Sequence, residues 1–352
     1  MNLTDRNILI ISPEAWEHIQ ISKHHYAIEL AKRNNRVYFL GPPENEYAIN
    51  TTSINNLFKV TYKGFPKGFR FYPKAIRKKI QRSLLEKIEK ITGCTLDILW
   101  SFDNSVFADF DNERMRLNIS HIVDKSQDFL FARAASTADI NFAVSENIFN
   151  RQKKYNQQSY LIPHAIDELF LKEIIKDSNS DLPGKNKIKA LTFGNMNSPY
   201  INWKLAEKIY NHFDCIDFIH FGPKPDKAPI AENIYFAGFK DKKDLAVLMS
   251  SADFLFIFYD DEKYPEQLTN SHKILEFLSS GKPVICNPFS DYKKSELLIQ
   301  CHNLEDYKNA IQNTITKSED VALKQRRIEY ASKNTYNKRI EEIEQILENI
   351  NV

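Results

Sequence analysis

The feature that most restricts how this chain can fold is a series of short, wholly apolar runs, each ending in polar residues and each followed by a stretch with helical periodicity. Asn7-Ile8-Leu9-Ile10-Ile11-Ser12-Pro13 opens the series, a helix from about Ser22 to Arg33 follows, and Arg36-Val37-Tyr38-Phe39-Leu40 is the next strand, stopped by Gly41-Pro42-Pro43. Asp97 to Phe102, Ile119 to Asp124 and Ile140 to Ser145 continue it. A second series of the same kind starts near Ile188 with Ala190-Leu191-Thr192-Phe193-Gly194-Asn195 and runs through Ile216 to Phe221, Ile234 to Ala237, Phe254 to Phe258 and Val284 to Asn287. Unbroken apolar strands separated by helices suit parallel sheets covered on both faces, so the chain reads as two doubly wound α/β domains. In such sheets ligands bind beyond the carboxyl ends of the strands, which directs the search to the polar endings.

The 352 residues suffice for two domains, each with its own core. A formal net charge of +2 argues against a nucleic-acid binder at the level of the whole chain, so any basic function must be local. Cys94, Cys215, Cys286 and Cys301 are scattered, without metal-site or redox spacing, which fits a reducing cytoplasm. The start, Met1 to Arg6, lacks the pattern of a secretory signal, and no apolar run approaches the length of a membrane span. The expectation is a cytoplasmic protein, soluble or peripheral.

Functional chemistry concentrates in Asn270-Ser271-His272-Lys273-Ile274-Leu275-Glu276-Phe277-Leu278-Ser279-Ser280-Gly281-Lys282-Pro283-Val284-Ile285. The spacing predicts a loop, a short helix and a buried strand. Ile274, Leu275, Phe277 and Leu278 form the core stripe, and Gly281 with Pro283 stops the helix. Asn270 or Ser271 can cap the first turn, whose N–H groups suit a phosphate, and Lys273 and Glu276, three apart, emerge on one face. A cation beside a diphosphate and a carboxylate accepting from two ribose hydroxyls would use that pair.

This segment resembles the donor site of GT-B nucleotide-sugar glycosyltransferases of the broad family 4 type, in which a glutamate before "GKPVV" holds the donor ribose. Tyr160-Leu161-Ile162-Pro163-His164-Ala165-Ile166-Asp167 is similar to that family's "IPNGVD" exit from its first domain. The resemblance implies two Rossmann-like domains facing a central cleft, with bounds here of 1–167 and 188–330, and a terminal helix within 331–352 crossing back to the first domain; between the domains, 168–187, rich in Lys, Asp, Ser and Asn with Pro183-Gly184, reads as the linker. It implies donor contacts at Gly194, Asn195, Thr269, Asn270, Ser271, His272, Lys273 and Glu276, with Glu276 and Lys273 the central pair. It also implies hexosyl transfer with retention of configuration and a nucleotide-diphosphate sugar as co-substrate; the diphosphate charge is expected to be met by the helix start, backbone N–H groups and Lys273 without a metal, a divalent ion being the alternative. Two departures stand out. Asn195 occupies the place of the family's diphosphate-binding arginine, and Leu268 that of the first of its paired glutamates, with Glu266 two residues earlier.

In the first domain the loop Ser12 to Gln20 places Trp16, Glu17 and His18 as acceptor-side candidates, Trp16 for stacking on a sugar and His18 or Glu17 for a reacting hydroxyl. Packing and helix capping are the alternative uses of the same residues. Asp103 and Asp124 end consecutive strands and are candidates for orienting the acceptor, Asp124 together with His18 on the catalytic side. His24 and His25 lie within the helix and read as packed or surface residues.

Residues 63 to 90 carry ten Lys and Arg among Phe65, Phe69, Phe71 and Tyr72, opposed by Glu86 and Glu89. Ile76, Ile80, Leu84 and Ile88 recur every four residues, giving a basic amphipathic helix suited to an anionic membrane surface and thus to a lipid-linked acceptor. A solvated helix packed on the sheet is the other reading.

The sequence therefore points to a glycosyltransferase that moves a sugar from a nucleotide-diphosphate donor to an acceptor hydroxyl of a surface glycan or its lipid-linked precursor. Its rivals are another GT-B enzyme, such as a nucleotide-sugar epimerase or polyol-phosphate transferase, and a non-catalytic scaffold on the same fold.

Overall fold

The computed structural model describes residues 1–103, 105, 107–110, 115–123, 130–174, 181–269, 271–318 and 320–350. The chain forms two compact units, the first made of Met1–His164 with Tyr336–Val352 and the second of Ala165–Thr335.

Unit 1 runs β1 (Asn7–Ile11), α1 (Ser22–Lys32), β2 (Arg36–Leu40), β3 (Ala48–Thr51), β4 (Leu57–Thr61), α2 (Lys74–Thr92), β5 (Ile98–Ser101), β6 (Leu117–Ile122), α3 (Phe131–Thr137), β7 (Ile140–Ala143), α4 (Glu146–Gln152) and β8 (Ser159–Leu161). Its sheet has the order β3-β4-β2-β1-β5-β6-β7-β8, parallel throughout except for the β3–β4 pair. The strand order reverses between β1 and β5, so the loops after those two strands border the crevice where a ligand can enter. One face carries Leu9, Ile11, Tyr38, Leu40 and Leu99 against Leu84, Leu85 and Ile88 of α2.

Unit 2 runs α5 (Glu168–Ile174), β9 (Ile188–Phe193), α6 (Trp203–His212), β10 (Ile216–Phe221), β11 (Ile234–Phe236), α7 (Lys242–Ser250), β12 (Phe254–Phe256), α8 (His272–Ser279), β13 (Val284–Cys286), β14 (Ile299–Gln300), α9 (Leu304–Thr316) and α10 (Val321–Ser332). The all-parallel order β11-β10-β9-β12-β13-β14 is the doubly wound arrangement, with its switch point between β9 and β12. Strand alternation divides the core. Leu191, Ile219, Leu255 and Val284 face one layer with α8, while Ala190, Phe218, Phe254, Phe256 and Ile285 face the other with α6 and α9.

The last helix, α11 (Tyr336–Asn349), belongs to unit 1, where Ile340, Ile343 and Leu347 are fully buried. Arg33 at the end of α1 pairs with Glu344 at 2.7 Å, and Glu344 also accepts the Leu3 N–H at 2.8 Å. The crossing back of the C-terminal helix, expected from the resemblance, is thus present. The stretch 168–187, read as a linker from its polar composition, opens instead with α5, which packs on α7 inside unit 2. Phe170 supplies the reason, since it is buried in the unit 2 core.

The basic segment differs in detail from its sequence reading. In α2 the buried residues are Arg77, Gln81, Leu84, Leu85 and Ile88, and Ile76 is 47% exposed. Arg77 displaces the expected isoleucine face because its guanidinium makes a two-pronged contact with buried Asp109, at 2.7 and 3.0 Å, and also donates to the Tyr72 carbonyl. Among the described residues no helix is long and apolar enough to cross a membrane.

Candidate functional site

At the switch point of unit 2, β9 is followed by Gly194, whose φ of +135° is a conformation glycine adopts and side-chain-bearing residues avoid. The space a Cβ would fill there is taken by the ammonium of Lys273, with Nζ 2.9 Å from the ideal Cβ position. Gly222, just after β10, lies so close that a Cβ on it would collide with the Gly194 carbonyl oxygen. The two glycines let neighbouring strand ends pack backbone to backbone, with the Lys273 ammonium against the first of them.

Lys273 reaches Gly194 from α8, and Glu276 follows three residues later on the same helix. The helix stripe Ile274, Leu275, Phe277 and Leu278 is buried in the core, which turns the opposite face toward the ends of β9 and β12. The Lys273 ammonium donates to the Tyr259 hydroxyl at 3.1 Å. Tyr259 is itself fixed by Asn287, whose side chain accepts its N–H at 2.7 Å and donates to its carbonyl at 3.1 Å. Burial works against the Lys273 charge, but Tyr259, then Tyr200 and Glu276, hold its pKa above the usual lysine value. Glu276 is 7% exposed, and burial raises its carboxyl pKa against the pull of Lys242 and Lys273, with Asp167 adding to the rise. Ser271 stands at the N-cap of α8, yet its hydroxyl makes no capping bond, so the first-turn N–H groups are not closed off by it.

The other donor-side candidates serve the loops. Asn195 is exposed, and its side-chain oxygen accepts the Asn197 N–H at 3.0 Å, shaping the turn after β9 without adding charge. Thr269 donates to the Glu266 carbonyl at 3.2 Å. Leu268, in the place of the first family glutamate, is a core residue with 6% exposure, so that position holds the loop down by apolar packing. His272 is an exposed residue at the start of α8. Asn270 lies outside the described residues.

In unit 1 the loop after β1 is rigidly tied. The Ser12 hydroxyl donates to the Glu14 carbonyl at 2.8 Å, Glu14 pairs with buried Lys23 at 2.5 Å, and the Trp16 ring packs on Phe39 and His24 with centroids 5.2 and 5.5 Å apart. Glu17 is exposed and paired with Lys59 at 2.9 Å, whose hydrogen bond keeps its pKa low. His18 is exposed, with Nδ1 2.9 Å from the Ile19 carbonyl oxygen. Asp103, 8% exposed, accepts the Ser105 N–H at 2.8 Å and turns the chain after β5. His24 and His25 are buried, His24 bonding to the Ala15 carbonyl at 3.0 Å and His25 stacking on Tyr336. Asp124 lies outside the described residues.

Three participants were not among the sequence candidates. Lys242, at the start of α7, places its ammonium 3.9 Å from Glu276. Tyr259 anchors Lys273. Arg327 of α10 donates to the Gly281 and Leu297 carbonyls at 3.1 and 2.9 Å, pinning the C-terminal end of α8. The Asp241-Lys242-Lys243-Asp244 pattern signalled a capped helix start, but nothing local showed that its lysine would meet Glu276.

A sucrose-phosphate synthase from Thermosynechococcus elongatus matches this structure with a TM-score of 0.67 at 12% identity, over 98% of this chain and 99% of that one. The fold is GT-B. A UDP-forming α,α-trehalose-phosphate synthase from Burkholderia vietnamiensis matches with a TM-score of 0.67 at 10% identity, over 98% and 99% of the two chains. An E. coli trehalose-6-phosphate structure bound with UDP-2-fluoro glucose gives 0.64 at 11% identity, over 97% and 99%. No family model matches the sequence, and no curated protein matches it by sequence search. The narrower family 4 likeness therefore rests on the residues of the donor segment.

Proposed function

We propose that the protein is a glycosyltransferase with a family 4-like donor segment, transferring a hexosyl group from a nucleotide-diphosphate sugar to an acceptor hydroxyl with retention of configuration. One observation carries this reading: Lys273 stands over Gly194 at the switch point of a doubly wound sheet, with the buried Glu276 carboxylate one helical turn further along α8 and within its electrostatic reach, in the fold shared by UDP-forming sugar transferases. Glu276 accepts from the ribose hydroxyls. Lys273 and the first turn of α8 meet the diphosphate and stabilise the charge that builds on it as the glycosidic bond breaks, so no divalent ion is required. His18 and Asp124 act on the acceptor side in this reading, with Trp16, Glu17 and Asp103 lining it.

A thermal-shift screen of nucleotide-sugar donors tests it first, since saturating ligand at about one hundred times its dissociation constant adds about 2.7 kcal/mol of stability. UDP-sugars are the first arm because of the structural neighbours. Glu276→Ala is expected to weaken the binding of the responsive donor by roughly 1.5–3 kcal/mol. Donor shifts absent in every case would favour the scaffold, and free epimerised sugar without acceptor product would favour an epimerase.

For the acceptor we propose a surface glycan or its lipid-linked precursor, reached at the cytoplasmic membrane face. Support comes from the surface around α2, where Phe71 at 73% and Ile76 at 47% exposure sit among Arg70, Lys74, Lys79 and Arg82. Basic residues near an anionic leaflet contribute about 1 kcal/mol each. Vesicles containing anionic lipid are expected to bind the protein in a salt-sensitive manner, and indifference to lipid charge removes this part of the reading. The names of the structural neighbours favour a second acceptor class, a sugar phosphate, which the same transfer assay tests in parallel.

A further inference from the structure

Glu276 is a carboxylate with 10% side-chain exposure on which, among the described residues, no hydrogen bond ends. A buried charge in that condition needs a counter-charge or it takes up a proton. Two lysines are near. Lys273 lies on the same helix, but its ammonium is held by Tyr259 and stands over Gly194. Lys242 comes from another element and is aimed by a local device: Asp241 caps α7, its Oδ1 accepting the Asp244 N–H at 2.8 Å, which sets Lys242 as the first helical residue. Its Nζ is then 3.9 Å from Glu276 Oε1.

We propose that Lys242 is a positioning residue of the donor site, holding the Glu276 carboxylate ionised and turned toward the ligand. The proposal rests on the reading that Glu276 accepts from the donor ribose. The distance is informative, because at 3.9 Å the pair attracts electrostatically without a hydrogen bond, so both carboxylate oxygens stay available to hydroxyl donors. A neutral glutamic acid would instead present one O–H donor and could not accept from two hydroxyls through two equivalent oxygens. The groups around Glu276 oppose one another. Lys242 from α7 and Lys273 from α8 favour the charged form, while burial and Asp167, just ahead of α5, disfavour it. His272 adjoins both lysines, and Tyr259 bears on Lys273. Without Lys242, only the lysine already engaged by Tyr259 remains to offset burial and Asp167.

The test is the titration of Glu276 itself, followed by carboxyl-carbon NMR with Glu276→Gln to assign the resonance, in the wild-type protein, Lys242→Met and Lys242→Arg. Lys242→Met is expected to raise the proton affinity of Glu276 by about tenfold, the smaller end of the effect of a close opposite charge, and Lys242→Arg to restore it. Calorimetry with UDP gives the second readout. Affinity in Lys242→Met is expected to fall most at acid pH and to approach the wild-type value as pH rises. An unchanged Glu276 titration in Lys242→Met overturns the proposal, and so does a loss of UDP affinity by one factor at every pH, which would make Lys242 a direct ligand contact. If no nucleotide binds the wild-type protein while Lys242→Met still shifts Glu276, the role of Lys242 stands and the assignment of the site to a nucleotide donor fails.

Discussion

Gly194 and Glu276 show how much of the candidate site depends on single atoms. A methyl group at position 194 meets two obstacles, a φ of +135° and the Lys273 ammonium at 2.9 Å. Gly194→Ala is therefore expected to cost about 1–2 kcal/mol in a urea melt and to weaken UDP binding in calorimetry by displacing Lys273. Unaltered binding in a destabilised Gly194→Ala protein would separate Lys273 from the ligand. For Glu276 the sign follows from the raised carboxyl pKa: the ionised form is lost as pH falls, and the loss begins above the ordinary glutamate range. Donor affinity is expected to decline on acidification from that point, and Glu276→Gln to remove the pH dependence along with most of the affinity. The glutamate was legible in the sequence from its place before Gly-Lys-Pro-Val. Its electrostatic partner Lys242 was not, because 34 positions of chain separate them and only folding brings the first residue of α7 near Glu276.

Among the elements, α2 is where periodicity and packing part. Apolar residues every four positions marked Ile76 and Ile80 as one face with Leu84 and Ile88, yet the buried side begins with Arg77 and Gln81. A guanidinium can be buried if a carboxylate is buried opposite it, and Asp109 supplies one with 2% side-chain exposure. Arg77→Met is expected to destabilise the protein by about 3–5 kcal/mol, measured by denaturant midpoint, because it leaves the Asp109 charge unpaired. Replacing both, as Arg77→Met with Asp109→Leu, should recover much of that loss. Helix α8 behaved differently. Its apolar stripe, its stop at Gly281 and the following strand were all readable, since each is a local property of sixteen consecutive residues. The polar composition of 168–187 hid α5, whose burial of Phe170 depends on where α7 lies.

For the whole molecule, each unit contains a buried neutral histidine that ties stability to pH. His121 in unit 1 accepts from the Trp100 indole N–H at 3.3 Å through Nδ1, and His220 in unit 2 bonds through Nε2 to the Tyr210 hydroxyl at 3.0 Å. Burial lowers both imidazoles from 6.5 to about 3. The contribution to stability is complete above the unfolded value and is lost as pH falls from there toward the folded one, because the unfolded chain alone takes up the protons. Each histidine is expected to add about 1.4 kcal/mol per pH unit to the acid slope of urea stability, and His121→Gln or His220→Gln to flatten it by that share.

By itself the sequence determined what depends on neighbours along the chain: the runs that become β1, β2, β9 and β12, the doubly wound class of both units, the α8 segment and the identity of Glu276 and Lys273 as its polar pair. Hydrophobic periodicity and chain-stopping residues are local, so they survive without coordinates. Tertiary structure decided which charges meet. The arrival of Lys242 beside Glu276, the seating of Lys273 over Gly194 by Tyr259, and the burial of Arg77 against Asp109 all join residues far apart in sequence. Electrostatic energy depends on separation in space and on lost solvent, and both are set only when the sheets and helices pack.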